Sequence, residues 1–389
     1  MTPPPAVLGR RIQLIHAAQW LYAADGDGYA TIARGFDEDP WPGYARLRTA
    51  APLSRSRTGV WTTTRYATGA ALLDDARFAR TRADGAATPT QVLTLPELIG
   101  TPDEEFDRLA ESLAPVLDDA ATTRCREWAE RAGGRLLDAG PPRCDLVRDV
   151  LRPAVVGLLA ELLELGAAER ARFAEHCAAV EPALDSLVCP QPLDRTRRML
   201  GALRDLGAVP GRRPGVLLAA LGAPMATVLA TNAVAALFDR PGEWSRVAAD
   251  PTRAARVVAE TRRYDPPVQL DALVARRDLE LAGQPLAAGD QVVVVIAAAN
   301  RDPDAFARPD RFDPDRTETV APLSPAPPHR LVEPFAVAVA EGLVRALAVH
   351  RPQLRPDGPL LRQLRAPVTR RVLRFPVAAG EPDRSIGLP

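Results

Sequence analysis

Cysteine is scarce in this chain. Cys125, Cys144, Cys177 and Cys189 are all it has in 389 residues. Their spacing forms neither a disulfide framework nor a metal site, so free thiols in a reducing cytoplasm are expected. Histidine is equally thin, with none between His16 and His176. No charge sign is in excess: Lys+Arg and Asp+Glu number 49 each. That balance argues against a nucleic-acid partner and against a charged tail. Met1-Thr-Pro-Pro-Pro5 lacks the basic segment and apolar core of a signal peptide. No run is expected to reach the length of a membrane helix, so no membrane partner is expected. There is no internal repeat. No Ser/His/Asp group or paired-carboxylate constellation stands out to support hydrolytic chemistry.

What is present centres on Glu260-Thr-Arg-Arg-Tyr-Asp-Pro-Pro267. Ala254, Val257, Val258 and Thr261 keep helical spacing, and Pro266-Pro267 end the helix. Glu260 and Arg263 lie three apart and leave one face. If that face is buried, both charges need partners, because an unpaired buried charge is very costly. Downstream, Gly289-Asp290 marks a turn before Val292 to Ile296, a β-branched run that reads as a buried strand. Ala298-Ala-Asn-Arg-Asp-Pro303, Phe306, Pro309-Asp-Arg-Phe312 and Arg316 follow.

In this order and spacing, these segments resemble the K helix and meander of cytochrome P450 proteins. The resemblance implies a Glu260–Arg263–Arg311 ion network. It extends over most of the chain: Leu53 to Thr64 reads as a strand pair around Thr58-Gly59, Asp145 to Leu165 as a long helix interrupted by Pro153, Pro190 to Gly215 as a short helix between loops, Gly222 to Phe238 as the central helix, and Leu331 to His350 as the final long helix. The implied fold is mainly α with small β-sheets, a cytochrome P450 fold without haem in a single domain over 1–389.

The haem chemistry of that family has lost its residues here. A P450 holds iron through a cysteine thiolate. Pro325-Ala-Pro-Pro-His-Arg-Leu-Val332 stands in the thiolate loop, and Val332 falls on the ligand position. Pro224 and Met225 replace the acid and alcohol that relay protons. Glu105 and Leu109 stand where the family's His-x-x-x-Arg grips one haem propionate, and Leu273 replaces the arginine that binds the other. Pro224 should also break the central helix. His329 is the remaining histidine near enough to ligate iron.

A closer resemblance is carried by Leu8-Gly-Arg-Arg-Ile-Gln-Leu-Ile-His16, Trp20-Leu-Tyr22, Asp25-Gly-Asp27, Asp37-Glu-Asp-Pro40 and Tyr44. These are similar to P450-derived auxiliary proteins of deoxysugar glycosyltransferases in macrolide and anthracycline pathways. The resemblance implies no catalysis and no cofactor, but a glycosyltransferase partner in a hetero-oligomer, stabilised or activated by the pairing. Residues 1–50 are then expected to be a partner-binding extension of amphipathic helices, with Leu8, Ile12, Ile15, Trp20 and Tyr22 as the contact surface. Charged residues at Ile12 and Ile15 should abolish the complex without unfolding the chain. Two other readings stay open: an atypical haem-binding monooxygenase with a non-cysteine ligand, and a P450 fold reused for haem-independent catalysis.

Overall fold

The computed structural model describes residues 4–36, 39–102, 105–208, 213–240 and 242–380. Met1–Pro3, Asp37 and Glu38, cited above, lie outside them, as do residues 103–104, 209–212, 241 and 381–389. Helices dominate. The N-terminal flank is built from α1 (Pro5–Ala24), α2 (Gly28–Ala33) and α3 (Trp41–Arg48). The body is built from α4 (Asp119–Ala139), α5 (Arg152–Leu162), α6 (Ala167–Val180), α7 (Leu193–Gly207), α8 (Ala223–Phe238), α9 (Ala254–Tyr264) and α10 (His329–His350).

One sheet lies beside them: β1 (Ser54–Arg55), β2 (Trp61–Thr63), β3 (Phe78–Ala79), β4 (Asp271–Ala275) and β5 (Gln291–Val294), in the order β1-β2-β5-β4-β3. β2 runs parallel to β5, with Trp61 opposite Val292, and the other pairings are antiparallel. Buried β5 is Gln-Val-Val-Val, the β-branched composition that suits a strand covered on both faces. A second sheet centres on Pro376–Ala379, between Arg143–Asp145 and Leu354–Pro356.

α4 and α10 form a tight helix pair. A Cβ on Gly342 would stand 2.2 Å from the Arg126 carbonyl oxygen, and one on Gly133 would stand 3.0 Å from Ala346 Cβ. Glycine here lets two backbones approach more closely than any side chain permits. The chain stays helical through Pro153 and Pro224, so Pro224 does not break the central helix. Both stand at the first positions of the α-helical stretches α5 and α8. Each follows a π-helical turn, Leu146–Leu151 and Leu218–Gly222. The wider turn absorbs the hydrogen bond that proline cannot make.

Two expectations are corrected here. The segment 190–215 holds a fifteen-residue helix, α7, longer than its Pro, Gly and Arg content suggests. Thr196, Met199, Leu200 and Leu203 recur at helical spacing and are buried, so an apolar face stabilises it. The uncharged stretch Gly215–Phe238 is also long and apolar enough to cross a membrane, contrary to the reading above, but it is buried almost throughout as the central helix of the core.

Candidate functional site

The Glu260–Arg263 pair sits at the end of α9, with both side chains almost fully buried. Arg263 Nε and Nη2 donate to Glu260 Oε2 and Oε1 at 3.0 and 2.7 Å. Its remaining donors reach the carbonyls of Asn300, Pro309 and Arg311 at 3.0, 2.7 and 2.9 Å. All five guanidinium donors are therefore used. Glu260 Oε1 also accepts the Asp313 amide at 2.9 Å. The network ties one helix end to the irregular segment 300–313.

Its third charged member is Arg316, and the expectation for Arg311 is corrected. Arg316 Nε lies 3.4 Å from Glu260 Oε2, and its side chain is 12% exposed. The Arg311 side chain is 61% exposed, with Asp313 as its acid at 3.9 Å. The turn that brings the Arg311 amide to the Arg308 carbonyl directs the Arg311 carbonyl inward and leaves its guanidinium outside.

The residues at the haem positions are buried in the hydrophobic core. Val332 lies in the first turn of α10, fully buried. Phe335, Met225, Ala226 and Leu229 are likewise closed to solvent, and Leu273 and Leu109 nearly so. Phe335 lies against the π turn, close to where a Gly222 Cβ would stand. A porphyrin-sized space between α8 and α10 would leave these side chains accessible from inside. They are not accessible, so the residues present do not fit a haem.

His329 has no room for an iron porphyrin either, although its buried Nε2 has no hydrogen-bond partner among the described residues. Arg80 Nη2 donates to its Nδ1 at 3.0 Å, and Asp271 Oδ1 lies 3.8 Å from the same nitrogen. Arg80 also pairs with Asp271, and Asp271 Oδ2 accepts the Ala326 amide at 2.7 Å. Arginine has only donors, so Nδ1 is the bare nitrogen and the proton sits on Nε2. The adjoining cavity, which His329 lines with Arg80, Gln91 and Asp271, holds about 10 Å³. That is room for about one water.

Burial, then the Arg80 charge, pushes the His329 pKa down to about 4 against the pull of Asp271. Burial opposes the Asp271 charge, yet Arg80 and His329 hold that carboxyl below its ordinary range. Both groups therefore give stability that is present at neutral pH and lost in acid. The His329 contribution is complete above about pH 6.5 and falls between there and about pH 4. The loss is roughly 3 kcal/mol. Urea midpoints measured across that window should fall for the wild type and stay flatter for His329→Gln.

The N-terminal contact residues divide. Leu8, Ile12 and Ile15 are buried against the chain's own body, which corrects their assignment as an outward surface. Gly9 meets Leu193, and Gln19 Nε2 donates to the Val188 carbonyl at 2.8 Å. α3 is anchored too: Arg301 is stacked 3.3 Å from the Trp41 ring centroid and 3.6 Å from that of Tyr264. The described helices α1 and α3 thus pack against the body through these contacts. Trp20 is half-exposed and packs edge-on to Phe36, and the Tyr22 ring lies under Arg57.

The outward face of α1 carries Val7, Leu14 and Leu21, at 44, 59 and 66% exposure, with exposed Ala17 and Ala24. Val7, Leu14 and Leu21 repeat at seven residues, the period of a seam that packs on another helix. This stripe runs one position before Leu8, Ile15 and Tyr22, and helical spacing alone does not say which of the two faces outward.

Comparison with known proteins gives three findings. Residues 254–320 match the family model described as Cytochrome P450. The chain is 40% identical to Protein DesVIII of Streptomyces venezuelae, covering 96% of this chain and 94% of that one, and 36% identical to Cytochrome P450 family protein EryCII of Saccharopolyspora erythraea, covering 97% and 99%. Among solved structures it resembles P450BioI in complex with hexadec-9Z-enoic acid ligated acyl carrier protein, with a TM-score of 0.76 at 20% identity over 88% of this chain and 99% of that one.

Proposed function

Because the chain belongs to the cytochrome P450 family, alongside relatives such as DesVIII and EryCII, we propose that it is a non-catalytic auxiliary protein of antibiotic glycosylation. It binds a TDP-deoxysugar glycosyltransferase and activates or stabilises it. The observation that carries this reading is the closed packing of Val332, Phe335, Met225 and Leu273 where the family's reaction centre lies, inside a scaffold that keeps its buried Glu260–Arg263 pair. The chain is not an enzyme. The haem-monooxygenase alternative needs an open pocket, and the cavity beside His329 holds only about 10 Å³.

The mechanism is linkage. A partner that binds the folded, active transferase better than its other states raises the population of that state. The two chains form a cytoplasmic hetero-oligomer, where Cys125, Cys144, Cys177 and Cys189 stay reduced. A stable interface buries more than about 1,000 Å². We place its centre on the outward stripe Val7–Leu14–Leu21, with Trp20 at its edge and Tyr22 beside it.

Co-expression with the glycosyltransferase of the same pathway tests this. The two chains should co-purify at a fixed ratio, and haem added to the purified chain should produce no stoichiometric Soret band. A Soret band at one haem per chain, or a transferase that never co-purifies, would overturn the reading.

A further inference from the structure

A second surface lies beside α1. Pro4, Pro5 and Leu8 form one wall of a groove of about 640 Å³, and α7 forms the other with Arg197, Arg198, Gly201, Arg204 and the acid Asp194. Arg197, Gly201 and Arg204 are spaced four and three apart, so they share one face of α7, and Arg198 lies beside them. All three arginines are exposed. Among the described residues, none of the three guanidinium groups has an ion-pair or hydrogen-bond partner. The buried arginines Arg263 and Arg371, by comparison, are paired with Glu260 and Asp185. The groove floor is open as well: a Cβ on Gly201 would meet nothing within 4 Å.

We infer that this groove seats an acidic segment of the glycosyltransferase. The inference rests on the auxiliary reading above and goes beyond it, since it assigns a second contact and its charge. Three unpaired guanidinium groups against one carboxylate make a positive field that an acidic chain complements. Arginine forks suit carboxylates bidentately. The open floor at Gly201 allows the segment close to the α7 backbone. The apolar wall at Pro4, Pro5 and Leu8 adjoins Val7, where the outward stripe of α1 begins, so one partner can cover both surfaces. The groove therefore speeds and orients association, while the stripe holds the complex.

Association rates of the purified transferase with this chain, measured by surface plasmon resonance from low to high salt, test the assignment. The wild-type rate should fall by about tenfold or more as salt screens the groove. Arg197→Glu with Arg204→Glu should lower the low-salt rate by about tenfold and flatten its salt dependence. The Arg197→Lys, Arg204→Lys variant should restore most of both, because the charge is kept. Gly201→Leu fills the floor, leaves the charge unchanged and should speed dissociation.

Thermal melts check that each variant stays folded, as expected for exposed positions. If the charge-reversed variant keeps the wild-type rate and salt dependence while Leu14→Asp abolishes the complex, the groove assignment falls and the auxiliary reading stands. If the wild type forms no complex at all, both fall. Arginine-dependent binding of free thymidine diphosphate, seen by calorimetry, would give the groove to a phosphate ligand and overturn the acidic-segment assignment.

Discussion

Arg263→Ala destabilises the protein by about 3–5 kcal/mol, a large share of what a single domain possesses. The guanidinium holds the buried Glu260 carboxylate through two hydrogen bonds and caps the carbonyls of Asn300, Pro309 and Arg311. Alanine leaves a buried acid with the more distant Arg316 as its remaining cation and strands three inward carbonyls. Lysine does not restore the lost stability, because one ammonium cannot reproduce a five-donor fork. Arg311→Ala should cost no more than about 0.5 kcal/mol, since its exposed side chain contributes nothing to the network. Urea denaturation followed by circular dichroism separates the two. Equal losses for Arg263→Ala and Arg311→Ala would contradict the observed geometry.

Leu14→Asp combined with Leu21→Asp abolishes co-purification with the transferase and leaves this chain folded. Both leucines are largely exposed in the free protein, so the substitutions should change its own stability by about 0.5 kcal/mol or less. In the complex they place two carboxylates in an apolar seam, where desolvation without a partner is costly. The dissociation constant should rise by more than about a hundredfold, the effect of losing central interface contacts. Ile12→Asp must behave differently. Ile12 faces the chain's own core, so its substitution unfolds the protein, and any loss of binding follows from that. Melting curves recorded beside the pull-down distinguish these outcomes. Retained binding by the Leu14, Leu21 pair moves the interface away from α1.

Much of this architecture was readable in the residues because it is local. The i,i+3 spacing of Glu260 and Arg263, stopped by Pro266-Pro267, placed a charge pair at a helix end, and the fold buries it. The position of Val332 at the start of the last long helix was also accessible, since the apolar period of that helix sets the register. What escaped depends on tertiary paths. The segment 301–316 carries Arg301, Arg308, Arg311 and Arg316, and local spacing does not say which guanidinium turns inward. The loop path chose Arg316, while Arg311 contributes its carbonyl.

α1 shows the same ambiguity on a helix. It carries two adjacent apolar stripes one residue apart, and periodicity cannot say which of them docks. Contact of Gly9 with Leu193 and of Gln19 with the Val188 carbonyl turns Leu8, Ile12 and Ile15 inward. Arg80, Asp271 and His329 meet across 191 and 249 positions of sequence, beyond the reach of any local pattern.

The measurement that bears most directly on the central claim is turnover of a TDP-deoxysugar by the pathway's glycosyltransferase, with and without this chain, at matched transferase concentration. The account predicts little turnover by the transferase alone and a large, saturable rise as this chain is added, with no turnover by this chain alone. A transferase equally active and equally long-lived without it, or sugar transfer by this chain alone, would contradict the account.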